Sequence, residues 1–155
     1  WQMILQVAGR AGRRDRAGEV VVQTADPSHP VFSALSERGY QHFASAQLKE
    51  RQLFNYPPFC RLIRITLRHA DAQQLANTAS TLGQMLRGKF GSRVLGPVTP
   101  LIDRIRGELI VEIILKIETT TSFARARATL TEQIDALRRD SEHKGVAIIC
   151  NVDPM

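Results

Sequence analysis

The stretch ELIVEIILKIE, from Glu108 to Glu118, alternates in a way that predicts a long β-strand. Its odd-numbered positions, from Leu109 to Ile117, are Leu, Val, Ile, Leu and Ile, so one face of the strand is wholly apolar. Its even-numbered positions mix charged and apolar side chains. A strand with one continuous apolar face indicates a sheet that is covered on one side only.

A second alternating stretch and two helical stripes lie around this strand. RLIRITLRH, from Arg61 to His69, places Ile63, Ile65 and Leu67 on one face. Asp71 is an N-cap candidate for the first helix, and Thr121 or Ser122 for the second. The apolar positions of the two helices recur at spacings of three and four; they are Leu75, Ala79, Leu82 and Leu86, then Phe123, Ala126, Leu130, Ile134 and Leu137.

Two shorter strands complete the pattern. One lies around Arg93 to Leu95, before the proline-containing loop Gly96 to Pro100, and the last runs from Val146 to Val152. The resulting order β-α-β-β-α-β predicts an α+β fold, a two-layer ferredoxin-like sandwich with both helices on one face of the sheet. The opposite face would then carry Arg64, Arg68, Glu112 and Lys116.

Residues 29–58 read as a helical connector that ends at Tyr56-Pro57-Pro58-Phe59, because proline cannot continue a helix. The proline pair has two interpretations. It is either a polyproline-type ligand or a packed turn that docks the helix against the final domain. The aromatic residues on both sides of the prolines favour the packed turn.

Composition indicates a basic globular protein. The net charge of +6 and the pI of about 10.0 favour a polyanionic partner over an acidic small molecule. Cys60 and Cys150 have no second Cys or His at metal-ligand spacing, so we expect no metal site and two buried thiols in a cytoplasmic protein. We find no apolar run long enough to cross a bilayer and no secretory leader.

The string QVAGRAGR, from Gln6 to Arg13, carries the chemistry of the N-terminal region. We expect Arg10 and Arg13 on one side of a helical turn, with glycines that let a phosphate approach. Guanidinium groups suit the charge of a transferring phosphoryl group, as in an arginine finger. The competing interpretation is a flexible basic loop.

The whole string resembles motif VI of superfamily 2 helicases. Further matches are GEVVVQT (18–24), Pro27, His29-Pro30-Val31, Glu50-Arg51, YPPF (56–59) and Val152-Asp153-Pro154. With these matches the chain resembles the PriA family of replication-restart helicases along essentially its whole length. The chain also starts at Trp1 inside a helix-like run without an initiator Met, which indicates a piece of a longer polypeptide.

The resemblance implies a 3′-to-5′ ATP-dependent DNA helicase that recognises stalled or abandoned forks and restarts replication by primosome assembly. It implies ATP, Mg²⁺ and zinc as cofactors of the full-length protein, with none bound by this fragment. Gln6, Gly9, Arg10 and Arg13 would face the ATP phosphates, with Arg13 as the finger and Arg10 on the γ-phosphate. The implied partners are fork DNA, the single-stranded DNA-binding protein SSB and other primosome proteins.

The resemblance also divides the chain into three parts. Residues 1–28 would be the tail of a RecA-like helicase lobe 2, residues 29–58 the connector, and residues 59–155 the C-terminal domain. We expect the fragment alone to be inactive towards ATP. We expect Trp1 to Thr24, which lack their sheet, to be disordered or to pair with a second copy as a homodimer.

The candidate DNA contacts are basic residues of the last domain: Arg61, Arg64, Arg68, Arg104, Arg106 and Lys116. Aromatic residues make up only 6% of the chain, so base stacking on the sheet is weakly supported. A competing interpretation is that these cations are solvated, with Glu112 pairing to Arg64 or Lys116. The residues also fit a protein-interaction module that docks SSB or the motor lobes, or the end of another superfamily 2 helicase.

A phosphate-loop pattern at Gly83 to Lys89 is rejected. Phe90 stands where the metal-binding Ser or Thr belongs. The preceding residues also continue an amphipathic helix, whereas a phosphate loop leaves a strand.

Overall fold

A computed structural model describes residues 2–13, 16–35 and 39–154. The chain divides into two compact units, Trp1–Glu50 and Arg51–Met155. The predicted division after residues 28 and 58 stays a prediction. None of the described helices combines the length and the apolar character needed to cross a bilayer.

The first unit contains helices α1 (Gln2–Ala8) and α2 (Pro30–Ser33), most of α3 (Gly39–Leu53), and a short ladder of β1 (Gly12–Arg13) with β2 (Arg16–Ala17). The predicted strand over residues 18–24 is wrong, because these residues form no strand in the structure. A single strand needs a neighbouring strand for its backbone hydrogen bonds, and none of the described residues supplies one here. Val21 and Val22 are exposed as a result.

Helix α3 ends at Leu53, before Tyr56 and the proline pair, because Asn55 reverses the backbone. Asn55 has φ 50°, the left-handed conformation that closes helices. The N–H of Tyr56 donates to the carbonyl of Arg51 at 2.7 Å, and the N–H of Asn55 donates to Gln52 at 3.2 Å. This pair of bonds is a Schellman motif. The predicted termination before the prolines is confirmed.

The second unit is built on an antiparallel sheet of β3 (Cys60–His69), β4 (Val94–Val98), β5 (Arg104–Ile105), β6 (Glu108–Glu118) and β7 (Ala147–Val152). The strand order is β4-β6-β3-β7, and β5 pairs with the start of β6. In the centre of the sheet Ile65 lies opposite Ile113 on β6 and Cys150 on β7. Helices α4 (Ala72–Phe90) and α5 (Phe123–Arg139) connect the strands. The predicted α+β class is confirmed, and β5 is an addition to the predicted element order.

One face of the sheet and the two helices form the core. The predicted stripes pack together, with Phe123 only partly buried, and the largest fully buried apolar side chains are Ile63, Ile65, Leu67, Leu82, Leu86, Ile113 and Leu115. Each contributes about 1.5–3 kcal/mol through burial. The helices begin where predicted, because Asp71 accepts the N–H of Gln74 at 2.8 Å and Ser122 accepts that of Arg125 at 3.4 Å.

The loop after β4 is held close to the sheet at Gly96. Its φ is 90°, and a Cβ at this position would lie 2.7 Å from the carbonyl oxygen of Glu112, so only glycine fits. The guanidinium of Arg87 on α4 donates to the Gly96 carbonyl. Between Leu95 and Val98 the register of β4 on β6 shifts, which starts the departure of residues 99–103 from the sheet edge.

Candidate nucleic-acid interface

The side of the sheet away from the helices, here called the open face, carries the predicted row of polar residues. Arg64 and Arg68 project from β3 opposite Ile114 and Ile110 of β6. The Nε of Arg64 lies 3.8 Å from Oε2 of Glu112, and the Nε of Arg68 lies 3.9 Å from Oε2 of Glu108. Both distances exceed hydrogen-bond range. Each Nε is buried and has no hydrogen-bond partner among the described residues.

Arg61 is held by contacts inside the domain. Its Nε and Nη2 donate to Oδ2 of Asp153 at 2.9 and 2.7 Å, and its guanidinium carbon lies 3.8 Å from the centre of the Phe123 ring. The other oxygen of Asp153 accepts the N–H of Leu62 at 3.1 Å. The Arg61 hydrogen bonds, together with that backbone bond, hold the pKa of Asp153 below its ordinary value.

Lys116 is also engaged. Its Nζ donates to the carbonyl of Phe54 at 2.8 Å and lies 3.8 Å from the centre of the Tyr56 ring. These contacts support the packed-turn interpretation of the proline pair. DNA could contact only the part of the Lys116 ammonium that Phe54 and Tyr56 leave exposed.

Arg104 and Arg106 stand at a hairpin between β5 and β6. Arg106 and Gly107 both have positive φ, 51° and 86°, which is the pattern of a two-residue hairpin turn. Both arginines are exposed, and neither forms an ion pair with any described residue. Among the six predicted DNA contacts, Arg104 and Arg106 have the fewest interactions with other described side chains.

A basic cluster that the sequence pattern did not predict lies at one end of the domain. Lys89, Arg93, Lys116 and Arg125 surround a pocket of about 260 Å³ whose apolar lining includes Phe90. Arg93 is paired with Glu118 at 3.0 Å, and none of the described residues that line the pocket is a carboxylate. The predicted strand order could have indicated this cluster. Helices α4 and α5 follow the antiparallel strands β3 and β6, so the end of α4 lies beside the start of α5.

The N-terminal motif is arranged differently from the prediction. Gln6 lies on α1, whereas Gly9 and Arg10 form the turn after it, with the N–H of Arg10 donating to Val7 at 3.1 Å. Arg13 lies in β1, opposite Arg16. The expectation that Arg10 and Arg13 share a helical turn is therefore wrong, because the helix stops at Ala8. Their predicted roles towards ATP stay predictions.

Two further sequence interpretations concern nucleotides and metals. Gly83 to Lys89 lies inside α4, and Gly83 is buried with Pro97 3.1 Å from its would-be Cβ, so the rejection of a phosphate loop is confirmed. Cys60 is buried as expected and burial raises the pKa of its thiol, but Cys150 is exposed because it sits on the outer strand β7. Within the part of the chain that the structure describes, no three His, Cys, Asp or Glu side chains are arranged to hold a metal ion.

The fold and the surfaces define a class, a small basic α+β domain with several cationic sites and an open sheet face. The chain belongs to the family described as the primosomal protein N C-terminal domain, which matches residues 52–155.

Relatives in several bacteria agree with this family. The chain is 35% identical over 158 residues to the replication restart protein PriA of Haemophilus influenzae, covering 99% of the chain and 20% of the relative. It is 29% identical over 156 residues to that of Bacillus subtilis, with 99% and 19% covered. For the Treponema pallidum protein the identity is 29%, with 99% and 23% covered. The chain thus spans about a fifth of the length of these relatives.

Proposed function

We propose that the chain is the C-terminal part of a cytoplasmic 3′-to-5′ ATP-dependent DNA helicase. The whole protein would recognise stalled or abandoned forks and reassemble the primosome. The relatives are named replication restart proteins, and the string from Gln6 to Arg13 resembles a helicase motif VI. Both features support the proposal.

Within that protein, Gln6, Gly9, Arg10 and Arg13 would reach the phosphates of an ATP held by other parts of the polypeptide. The Mg²⁺ and the zinc of the full-length protein would be bound outside this chain as well. The chain's own part would be to contact DNA. Purified alone and supplied with ATP, Mg²⁺ and forked DNA, it should release no phosphate. DNA-stimulated turnover would contradict this division of roles.

The basic cluster is the observation that carries the DNA contact. Four cations from separate parts of the domain converge on one pocket, and only Arg93 among them is paired with a described carboxylate, so the local charge is strongly positive. Phosphate oxygens suit such a site, and contacts of this kind do not depend on base sequence. A protein that must bind any fork requires that independence.

A pair of double variants tests the contact. Replacing Lys89 and Arg125 by Met should lower the affinity for a short duplex about tenfold at low salt. It should also reduce the slope of log affinity against log salt by about two. The control removes the same charge from exposed α5 positions outside the cluster, Arg127→Met with Arg139→Met. Equal behaviour of the two double variants would exclude the cluster as the phosphate site.

A second candidate function is protein docking. The cluster has an apolar lining of Phe90, Ile117 and Ala126 between its cations, a combination that also suits an acidic peptide with apolar side chains. SSB is the partner we propose for this case. A titration of the chain with SSB and with duplex, each at two salt concentrations, separates the candidates. SSB binding without DNA binding at low salt would favour docking.

A further inference from the structure

The strand β7 has a neighbouring strand on one side only. It lies at the end of the order β4-β6-β3-β7, and within the described sheet it pairs with β3 alone. In an antiparallel ladder, alternate residues turn their N–H and C=O groups towards the partner strand. Asp153 donates its N–H to the carbonyl of Leu62 at 2.8 Å. By alternation, Ile148, Cys150 and Val152 turn their N–H and C=O groups outward, and we call this outer side the β7 edge.

The β7 edge lacks the features that protect sheet edges from pairing. Natural sheets protect an edge strand with charged side chains, prolines or bulges. The sequence of β7, AIICNV, contains no charged residue and no proline. Ile149 and Val152 are 45% and 38% exposed, so the edge also carries accessible apolar side chains. A row of backbone donors and acceptors between apolar side chains is a template for a further strand.

The opposite edge of the sheet, on β4, is protected. The register of β4 on β6 shifts between Leu95 and Val98. Pro97 lies within this irregularity and has no N–H to offer an added strand. The guanidinium of Arg87 donates to the carbonyl of Gly96. Strand addition is therefore hindered at β4, whereas β7 accepts it.

The occupant that fits the β7 edge is the same strand of a second copy. An uncharged strand lies against itself without placing like charges opposite each other. Outward-facing residues have to pair with outward-facing residues, so a twofold axis at Cys150 brings Ile148 opposite Val152 of the second copy. In this register all three outward-facing residues of each copy exchange backbone hydrogen bonds. A shift by two residues would leave Val152 without a strand residue opposite it.

We propose that the β7 edge joins two copies of this chain into an antiparallel dimer, with Cys150 of one copy opposite Cys150 of the other. The open faces of both copies then share one side of a continuous sheet, and the helices share the other side. This interface is separate from the segment Trp1 to Thr24, for which the sequence predicts pairing. It goes beyond the proposed function and does not depend on it.

The dimer should be weak. Stable specific interfaces bury at least about 1,200 Å², and the pairing of two short strands buries less. The net charge of +6 on each copy adds repulsion, which salt screens. Sedimentation equilibrium should therefore show a dimer that forms at high protein concentration and becomes stronger with added salt.

The register predicts a specific cross-link. Opposite residues of a hydrogen-bonded antiparallel pair have Cα atoms about 5.5 Å apart, within reach of a short bismaleimide that bridges two thiols. Cys150 is exposed and Cys60 is buried, so Cys150 is the thiol that reacts. The control is Cys150→Ser with Thr131→Cys, which moves the thiol to an exposed position of α5. The unaltered chain should form the cross-linked dimer about tenfold faster than the control.

A charge placed on the edge tests the interface by a second route. Ile149→Lys introduces the side chain that protected edge strands carry, so it should raise the dissociation constant of the dimer about tenfold. Ile102→Lys is the matched control, because it adds the same charge at an exposed position outside β7. The control should dimerise like the unaltered chain. Circular dichroism of both variants verifies that they are folded.

The outcomes are distinguishable. A chain that stays monomeric at every concentration and salt would overturn the assignment, and so would equal dimerisation of the Ile149→Lys and Ile102→Lys variants. Equal cross-linking rates at the two thiol positions would overturn the register. Loss of the dimer only on Val21→Lys with Val22→Lys would assign the pairing to the N-terminal segment. Failure of the chain to bind DNA would contradict the proposed function and leave the dimer standing.

Discussion

The Nζ of Lys116 lies 3.8 Å from the centre of the Tyr56 ring. Lys116 is on β6, sixty residues after Tyr56 in the chain. The same nitrogen donates to the carbonyl of Phe54, which follows the end of α3. The thiol of Cys60 adds a third contact by donating to the Asn55 carbonyl at 3.0 Å. The turn that follows α3 is therefore fixed to the sheet by its backbone carbonyls as well as by an aromatic ring.

Lys116→Met should destabilise the second unit. The change removes a cation–π contact and a hydrogen bond to a carbonyl, together about 1–2 kcal/mol of the free energy of unfolding. Urea unfolding followed by circular dichroism measures it. Lys89→Met is the matched control, because Lys89 is exposed and no described residue accepts a hydrogen bond from it. Equal stability of the two variants would mean that the Tyr56 contact contributes nothing.

Asp153 should make stability depend on pH in the acid range. Its pKa is below the ordinary 3.8 in the folded protein, so its contribution is present above that value and is lost as the pH falls through the lower, folded pKa. The pair with Arg61 is about half exposed, so we expect only about 1 kcal/mol.

The comparison is between the unaltered chain and Asp153→Asn, unfolded with urea at pH 6 and at several values below 4. The difference in the free energy of unfolding should shrink as the pH falls. A difference that stayed constant across this range would show that the carboxylate charge is not responsible.

Ile110→Ala should cost more than its position on the open face suggests. Ile110 is only 4% exposed, and its N–H donates to the carbonyl of Asp103 at 2.8 Å. We expect a loss of about 2–4 kcal/mol. Ile114→Ala, further along the same face of β6 and half-buried, should cost clearly less. Similar losses at both sites would mean that the deeper burial of Ile110 adds no stability.

Asp71→Ala should weaken the start of α4 by about 1 kcal/mol, since the carboxylate accepts the N–H of Gln74. Asp135→Ala, at an exposed position inside α5, removes the same charge without removing a cap. Thermal unfolding of the two variants gives the comparison. No difference between them would contradict the capping role.

The strands and helices of the second unit follow from local pattern. The bounds predicted for β6 coincide with those observed, and the caps at Asp71 and Ser122 lie where the side-chain chemistry placed them. Periodicity is readable here because each element has one apolar face against one core. β5 was not predicted because a strand of two residues is too short to show alternation, although Gly107 indicated a turn beside it.

The site was less predictable, because its pairings join distant parts of the sequence. Arg61 is a predicted DNA contact, and in the structure it binds Asp153, 92 residues later in the chain. No residue near Arg61 in the sequence indicates that Asp153 is its partner. The basic cluster likewise depends on how α4 and α5 are brought together, and charge counting along the chain does not show it. In the first unit, Val20 to Thr24 had strand-like residues but no described neighbour to pair with.

The bond between Arg61 and Asp153 has a mechanical consequence. It joins the first residues of β3 to the chain just after β7, and these two strands are antiparallel neighbours. A force that pulled the start of β3 away from the end of β7 would therefore unzip the β3–β7 ladder one rung at a time, starting at that ion pair. It would not have to shear all the rungs at once, so the domain should yield to tension at much smaller loads than its thermal stability would suggest.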